Sequence, residues 1–187
     1  GGDGGVNERM LPRARIFNAA VALGVTAAAL ANEPDSVSFC LSKGLSAPVG
    51  SLLCGEADFV ERARKNRKML GGGMRQAGVI AAAGIVALET MIDRLAEDHA
   101  NAQRLAAGLS GIEAVTVEQG NVPTNIVMFA VTPKIPVAKF VAGLNERGVK
   151  VGSLGGNLFR AVTHRMISPR DVDEALSHIG TVCSQLG

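Results

Sequence analysis

Asp35–Gly55 reads DSVSFCLSKGLSAPVGSLLCG, and this stretch decides the fold class. Ser36–Leu41 puts β-branched and aromatic residues in a short run after Pro34, the composition of a buried strand. Gly50–Cys54 is a second short strand, and Ser42 and Lys43 stand where the first one ends. A lysine in that place is expected to be partly desolvated. Desolvation disfavours the ammonium, and a neutral amine forms a Schiff base with an aldehyde. A surface lysine closing a strand fits the same spacing.

Outward from this core, the pattern alternates between helix and strand. On the N-terminal side, Ile16, Phe17, Ala20, Val21 and Leu23 recur at helical spacing up to Gly24, and Val25–Ala31 is a further short helical piece. Residues 1–12 are glycine-rich and polar, and read as a flexible or atypical leader that adds little to a core. On the C-terminal side, a helix from Ala57 turns Phe59, Val60 and Ala63 inward and a basic face outward. Gly71–Gly72–Gly73 breaks it. Gln76–Leu88 is apolar nearly all round, which predicts a helix buried on several sides or at a subunit contact.

The stripe Leu88, Ile92, Leu95, His99, Ala102, Leu105 then runs to Gly108, and the domain boundary is expected between Glu89 and Asp93. Beyond Gly111 come strand-like Glu113–Glu118 and Asn125–Val131, a helix with Val137, Phe140, Val141 and Leu144 on one face, and strand-like Val149–Ser153 and Leu158–Thr163. Ser168, Pro169 and Asp171 announce the last helix as N-cap, first position and capping-box acid. The expected organisation is a leader over 1–12, part of a larger α/β domain over 13–90 and a small C-terminal αβ domain over 91–187.

Composition excludes more than it names. The 187 residues are 47% hydrophobic and 19% charged with a net charge of +2, enough for a core and too little for charge-driven nucleic-acid binding. The absence of Trp and Tyr removes most stacking platforms for single strands. Cys40, Cys54 and Cys183 have no metal-ligand spacing and read as buried small hydrophobes in a reducing compartment. The longest apolar run, Gly78–Leu88, is about half a membrane span, and nothing resembles a signal peptide. The expectation is a cytoplasmic protein with no metal, nucleic-acid or membrane partner.

Three further residue groups are candidates for chemistry, each with a plainer reading beside it. Gly71–Gly73, Met74 and Arg75 follow the basic stretch Arg62, Arg64, Lys65, Arg67 and Lys68, and backbone N–H groups opening a helix beside such cations suit a phosphate; a solvated basic helix face is the plainer alternative. Arg160 sits on a strand, as a fork for a carboxylate or as an ordinary exposed arginine. His99 reads as a core or interface histidine, and His164 and His178 earn no catalytic role from position.

Six segments, ARIFNAAVALGV, DSVSFCLSKGLSAPVGSLLCG, RKNRKMLGGGMRQAGVIAAAGIVALE, EDHANAQRLAAGL, PTNIV and FRAVTH, are similar in order and spacing to those of the low-specificity L-threonine aldolases of the β-eliminating lyase/threonine aldolase family. The resemblance runs from about Arg13 to the C-terminus. It implies a fold type I, aminotransferase-like enzyme dependent on pyridoxal 5'-phosphate, with a partial large domain and the small C-terminal one. It implies cleavage of L-threonine or L-allo-threonine to glycine and an aldehyde, in threonine catabolism and glycine biosynthesis, by a homodimer or homotetramer. Lys43 is then the catalytic lysine that carries the cofactor, and Arg15 lies beside cofactor and substrate. Lys68 and Arg75 reach the cofactor phosphate, and Arg160 holds the substrate carboxylate. The GGGMRQAG block argues against an aminotransferase.

The family pattern His-x-Asp-Gly-Ala-Arg stands here as Met10-Leu11-Pro12-Arg13-Ala14-Arg15, so the acid that protonates the cofactor's ring nitrogen is replaced by Pro12. Family members also carry about a further domain before this point, with a phosphate loop and a histidine that stacks on the cofactor. A truncated, catalytically impaired remnant, at most a dimerising cofactor-binding fragment, is therefore the alternative expectation.

Overall fold

The SVSFC run is the central strand of the N-terminal sheet. In this computed structural model, which describes residues 10–12, 14–118 and 122–187, Met10–Pro12 (β1) runs parallel to Ser36–Cys40 (β2), and Ser51–Gly55 (β3) is antiparallel to it, in the order β1-β2-β3. Leu11 lies opposite Val37 and Pro12 opposite Ser38. Residues 10–12 are thus a strand rather than the end of a leader. Among the described residues β1 stands at the edge of this sheet, where the missing N–H of Pro12 breaks no second ladder.

Helices α1 (Ile16–Leu23) and α2 (Ala27–Leu30) connect β1 to β2. Gly24, at φ 65°, ends α1 in the left-handed region that glycine adopts without a Cβ penalty. Thr26 caps α2 by accepting the Ala29 N–H at 3.1 Å. After β3 come α3 (Ala57–Met69) and α4 (Gly78–Thr90).

The described residues divide into two compact units, Gly1–Asp93 and Arg94–Gly187. The first buries little of its second half: β3 is exposed along its length, α3 buries no residue, and α4 buries only Gly84 and Ala87. The expectation of an α4 buried on several sides is not met within the chain, since Val79 is 80%, Ile85 56% and Val86 57% exposed. The reason is a narrow contact line: the Leu41 side chain fills the space where a Cβ on Gly84 would stand, at 2.9 Å, and the remaining faces meet solvent.

In the second unit α5 (Leu95–Ser110) leads into β4 (Val115–Val117) and β5 (Ile126–Val131), followed by α6 (Val137–Glu146), β6 (Gly152–Gly155), β7 (Leu158–Val162) and α7 (Pro169–Leu186). The strands form an antiparallel sheet in the order β4-β5-β7-β6. Alternate residues Val127, Phe129, Val131, Phe159 and Ala161 share one buried cluster with residues of the three helices. Phe159 is its hub, with ring centroids 5.5 Å from Phe129 and 5.1 Å from Phe140.

Gly108 is one of the places where α5 and α7 touch, beside the Arg104–Asp173 ion pair at 2.7 Å. A Cβ there would collide with Leu176 Cδ1 and stand 2.7 Å from its Cδ2. Gly108→Ala is expected to destabilise this unit by about 1–3 kcal/mol, the cost of overpacking, read as a lower urea midpoint at unchanged slope. An unchanged midpoint would show that the Leu176 side chain gives way and that the better helix propensity of alanine offsets the crowding.

His99, buried on α5, has its imidazolium disfavoured first by desolvation, against the opposing charge of Asp98. Asp98 is itself buried and paired with Arg94 at 2.8 Å. With the folded pKa below the unfolded one, His99 has no effect on stability while neutral in both states. Below about pH 6.5 the unfolded chain takes up the proton first. Stability of the second unit is expected to fall from that pH downward, until the folded state also protonates. His99→Gln should flatten the dependence of the urea midpoint on pH across this window; an identical slope in the variant would assign it to other groups.

Candidate functional site

The end of β2 gathers two of the residues expected to matter, Arg15 and Lys43, together with Cys40. The Cys40 N–H donates to the Ala14 carbonyl at 3.3 Å, which brings the following residue, Arg15, beside the strand end. The Arg15 backbone occupies the N-cap position of α1 with its side chain partly buried. Beyond Cys40 the chain folds back on itself: the Leu41 N–H donates to Gly50 at 2.9 Å, the Ala47 N–H to Leu41 at 3.0 Å, and the Ser46 N–H to the Lys43 carbonyl at 2.9 Å. Leu41, Leu45 and Ala47 are buried beneath this turn, so the backbone of Lys43 is pinned. Its side chain is exposed. The expected partial desolvation is therefore absent in this chain, because the turn that anchors Lys43 packs its apolar neighbours inward and leaves the lysine outward.

Cys40 is half-buried rather than a core residue. Its Sγ accepts the Ser51 hydroxyl at 3.4 Å, across the ladder position where β2 and β3 pair these two residues. That hydrogen bond holds the thiol below its ordinary pKa, against partial burial, and the charges of Lys43 and Arg15 and a hydrogen bond with Lys43 act the same way. Cys40 and Ser51 escaped the sequence reading as functional residues. The signal was present in the hairpin register: two short strands around a ten-residue connection place Cys40 opposite Ser51.

Lys68 and Arg75 are both exposed, on either side of Gly71–Gly73. The glycine amides do not open a helix, as the sequence suggested. The Gly71 N–H donates to Lys68 at 3.1 Å and the Gly72 N–H to Arg67 at 2.8 Å, so two of the three cap the end of α3, and α4 begins only at Gly78. Anion binding at this corner falls to side chains. Arg160 lies in the other unit on β7, exposed between buried Phe159 and Ala161 and opposite Gly152 and Met128.

Among the other candidates, His164 is exposed and its Nδ1 accepts the Met166 N–H at 3.3 Å, while His178 is half-buried on α7. Cys54 is exposed on β3; Cys183 is buried, and burial pushes its thiol up. Among the described residues no group of three or more His, Cys, Asp or Glu is placed to hold a metal ion.

Residues 10–132 match the family model described as beta-eliminating lyase, more than half of the chain, and the chain belongs to that family. It is 45% identical over 166 residues to "Probable low-specificity L-threonine aldolase 2" of Arabidopsis thaliana, covering 88% of this chain and 47% of that protein. It is 41% identical over 165 residues to the low specificity L-threonine aldolase of Escherichia coli (strain K12), covering 88% and 48%. Among solved structures, Leishmania major threonine aldolase superposes with a TM-score of 0.69 at 17% identity, over 95% of this chain and 52% of that one. The chain spans about half the length of the curated relatives it matches. The fold is the fold type I, aminotransferase-like one, present in part.

Proposed function

We propose that this chain is the lysine-bearing portion of a pyridoxal 5'-phosphate-dependent carbon–carbon lyase of the threonine aldolase kind. Its substrate is a β-hydroxy-α-amino acid such as L-threonine or L-allo-threonine, cleaved between Cα and Cβ to glycine and an aldehyde. The observation that carries this reading is the cluster of Lys43, Arg15 and Cys40 at the end of β2, in a chain of the beta-eliminating lyase family. An accessible amine on a pinned turn, beside a guanidinium, fits an aldehyde that carries an anionic group.

Lys43 would hold the cofactor at its aldehyde group through Nζ. Lys68 and Arg75 would neutralise the phosphate with side-chain charge, since the Gly71 and Gly72 amides between them are engaged. Arg160 forks onto the substrate carboxylate, and Arg15 balances negative charge near Lys43. When bound, the cofactor supplies a conjugated ring that withdraws electrons from the substrate's Cα. The chain's residues bind and orient; Pro12, where the family motif has an acid, offers nothing to hold a proton on the ring nitrogen. That same residue favours the second reading, a catalytically impaired fragment that binds cofactor and dimerises. The exposed apolar face of α4 supports a homodimer or homotetramer, and three unpaired cysteines support a reducing, cytoplasmic location.

Aldehyde release from L-threonine in the presence of pyridoxal phosphate, coupled to an aldehyde reductase, tests both readings. The expected rate is about a hundredfold or more below that of the E. coli relative, the typical cost of losing one electrostatic partner of the transition state. Equal rates would show that Pro12 is no handicap, and no release at all would leave only the second reading.

A further inference from the structure

We propose that the second unit holds a binding site for a small carboxylate with a branched apolar body, in the cavity between α7, the end of β7 and the turn that joins α6 to β6. The cavity measures about 300 Å³, at the lower end of the range for sites that take small organic ligands. None of the residues proposed to hold cofactor or substrate lines it.

Three elements build the walls. Helix α7 contributes Val172, Ala175, His178 and Ile179, whose three- and four-residue spacing puts them on one face. Strand β7 supplies Ala161 and Val162 at its end. Between α6 and β6 the chain turns at Gly148, at φ 77° in the left-handed region, and the next three residues, Val149, Lys150 and Val151, all line the cavity. Leu109, Phe129, Val172 and Ile179 are buried and form the floor, whereas Val149, Val151, Ile167 and Ala175 are half-buried. Those half-buried aliphatic walls are apolar surface that a ligand's apolar body would remove from water.

The ionisable groups decide what head that body carries. Three of those in the lining already have partners. Asp171 accepts the Ser168 N–H at 2.8 Å and the Ser168 hydroxyl at 2.7 Å, Glu174 accepts the Arg170 guanidinium at 2.9 Å, and Arg147 donates to the Gly143 carbonyl at 2.9 Å and to Gln185 at 3.3 Å. Lys150 and His178 have no hydrogen bond or ion pair among the described residues. The cavity therefore offers an ammonium and an imidazole N–H as free donors, and these suit one carboxylate. A phosphate dianion would meet a single unpaired permanent cation, with the carboxylates of Asp171 and Glu174 in the same lining. An α-ammonium on the ligand would meet acids that are already paired, so an α-amino acid fits worse than the carboxylic acid of the same skeleton. The site depends on neither the cofactor nor the proposed reaction.

Methyl NMR of the full chain, titrated with 4-methylpentanoate to millimolar concentration, tests the site. The methyl signals of Val149, Val151, Ile167 and Ile179 should shift and saturate, while those of Val79 and Ile85 on α4 stay in place. Affinity should fall about tenfold or more in Lys150→Gln, and by a like factor for the uncharged 4-methylpentanamide on the wild-type chain, the usual worth of a hydrogen bond to a charged group. L-Leucine, which adds an α-ammonium to the same skeleton, should bind more weakly than 4-methylpentanoate. Ala175→Leu, which fills the cavity from α7, should abolish the shifts. Lys150 is exposed, so its variant keeps the fold and decides the matter even where Ala175→Leu does not fold. Lys134→Gln, outside the lining, should bind as the wild-type chain does. Absent shifts, shifts shared equally with α4, or an amide that binds as well as the acid would overturn the proposal. So would L-leucine binding as tightly, or cavity methyls that move on dilution of the chain alone, the sign that a second copy covers the site.

Discussion

If Lys43 carries the cofactor as proposed, Lys43→Ala is expected to abolish the absorbance band that pyridoxal phosphate develops on the wild-type chain and to lower aldehyde release by about a thousandfold or more, the usual scale for removing a covalent catalytic group. The effect is chemical, because the Lys43 side chain is exposed and only its backbone ties the turn, through the carbonyl that accepts the Ser46 N–H. Removing an exposed side chain of this kind changes stability by no more than about 0.5 kcal/mol. Lys43→Arg, which keeps the charge and loses the primary amine, should fail equally. Lys65→Ala should leave the band intact, since Lys65 lies on the exposed face of α3. Spectra of the three variants titrated with cofactor give the answer; a band retained in Lys43→Ala would remove Lys43 from the reading.

The second large effect concerns association. Met69, Leu70, Met74, Val79, Ile85 and Val86 are all more than half exposed within one segment of chain. Large apolar side chains exposed in such number within one segment favour a contact with another molecule. A second copy of the chain is the occupant the family resemblance implies, and the chain should therefore sediment above monomer mass at micromolar concentration. Val79→Asp with Ile85→Asp would bury two unpaired carboxylates in that contact, at several kcal/mol, and should weaken association about a hundredfold or more. Both positions are exposed in the single chain, so its fold tolerates the change. A wild-type chain that sediments as a stable monomer would refute the idea.

The most legible parts of the fold were those set by local chemistry. Ser168, Pro169 and Asp171 announced α7, and the structure closes the capping box: the Asp171 carboxylate accepts the Ser168 N–H at 2.8 Å, and the Ser168 hydroxyl accepts the Asp171 N–H at 3.3 Å. The alternation in residues 126–131 gave β5, whose Val127, Phe129 and Val131 all face the core. Surroundings were harder to read. Apolarity on all sides of residues 78–88 predicted a covered helix, without saying that the rest of the described chain leaves Val79, Ile85 and Val86 exposed. A run of glycines reads alike as the opening of one helix and the closing of another, and only the donors at Gly71 and Gly72 decide between them. Lys43 followed the same logic: its position at the strand end was legible, whereas its exposure depends on which neighbours the turn tucks beneath it. Strand β1 was missed because three residues pair only through a partner strand more than twenty positions away.

The central claim is that one lysine of this chain carries the cofactor. Borohydride reduction of the chain incubated with pyridoxal phosphate, followed by peptide mapping, locates the phosphopyridoxyl group covalently. The account predicts it on Lys43, in the peptide that runs through to Arg62 because trypsin no longer cuts there; label found mainly on Lys65, Lys68 or any other lysine would contradict it.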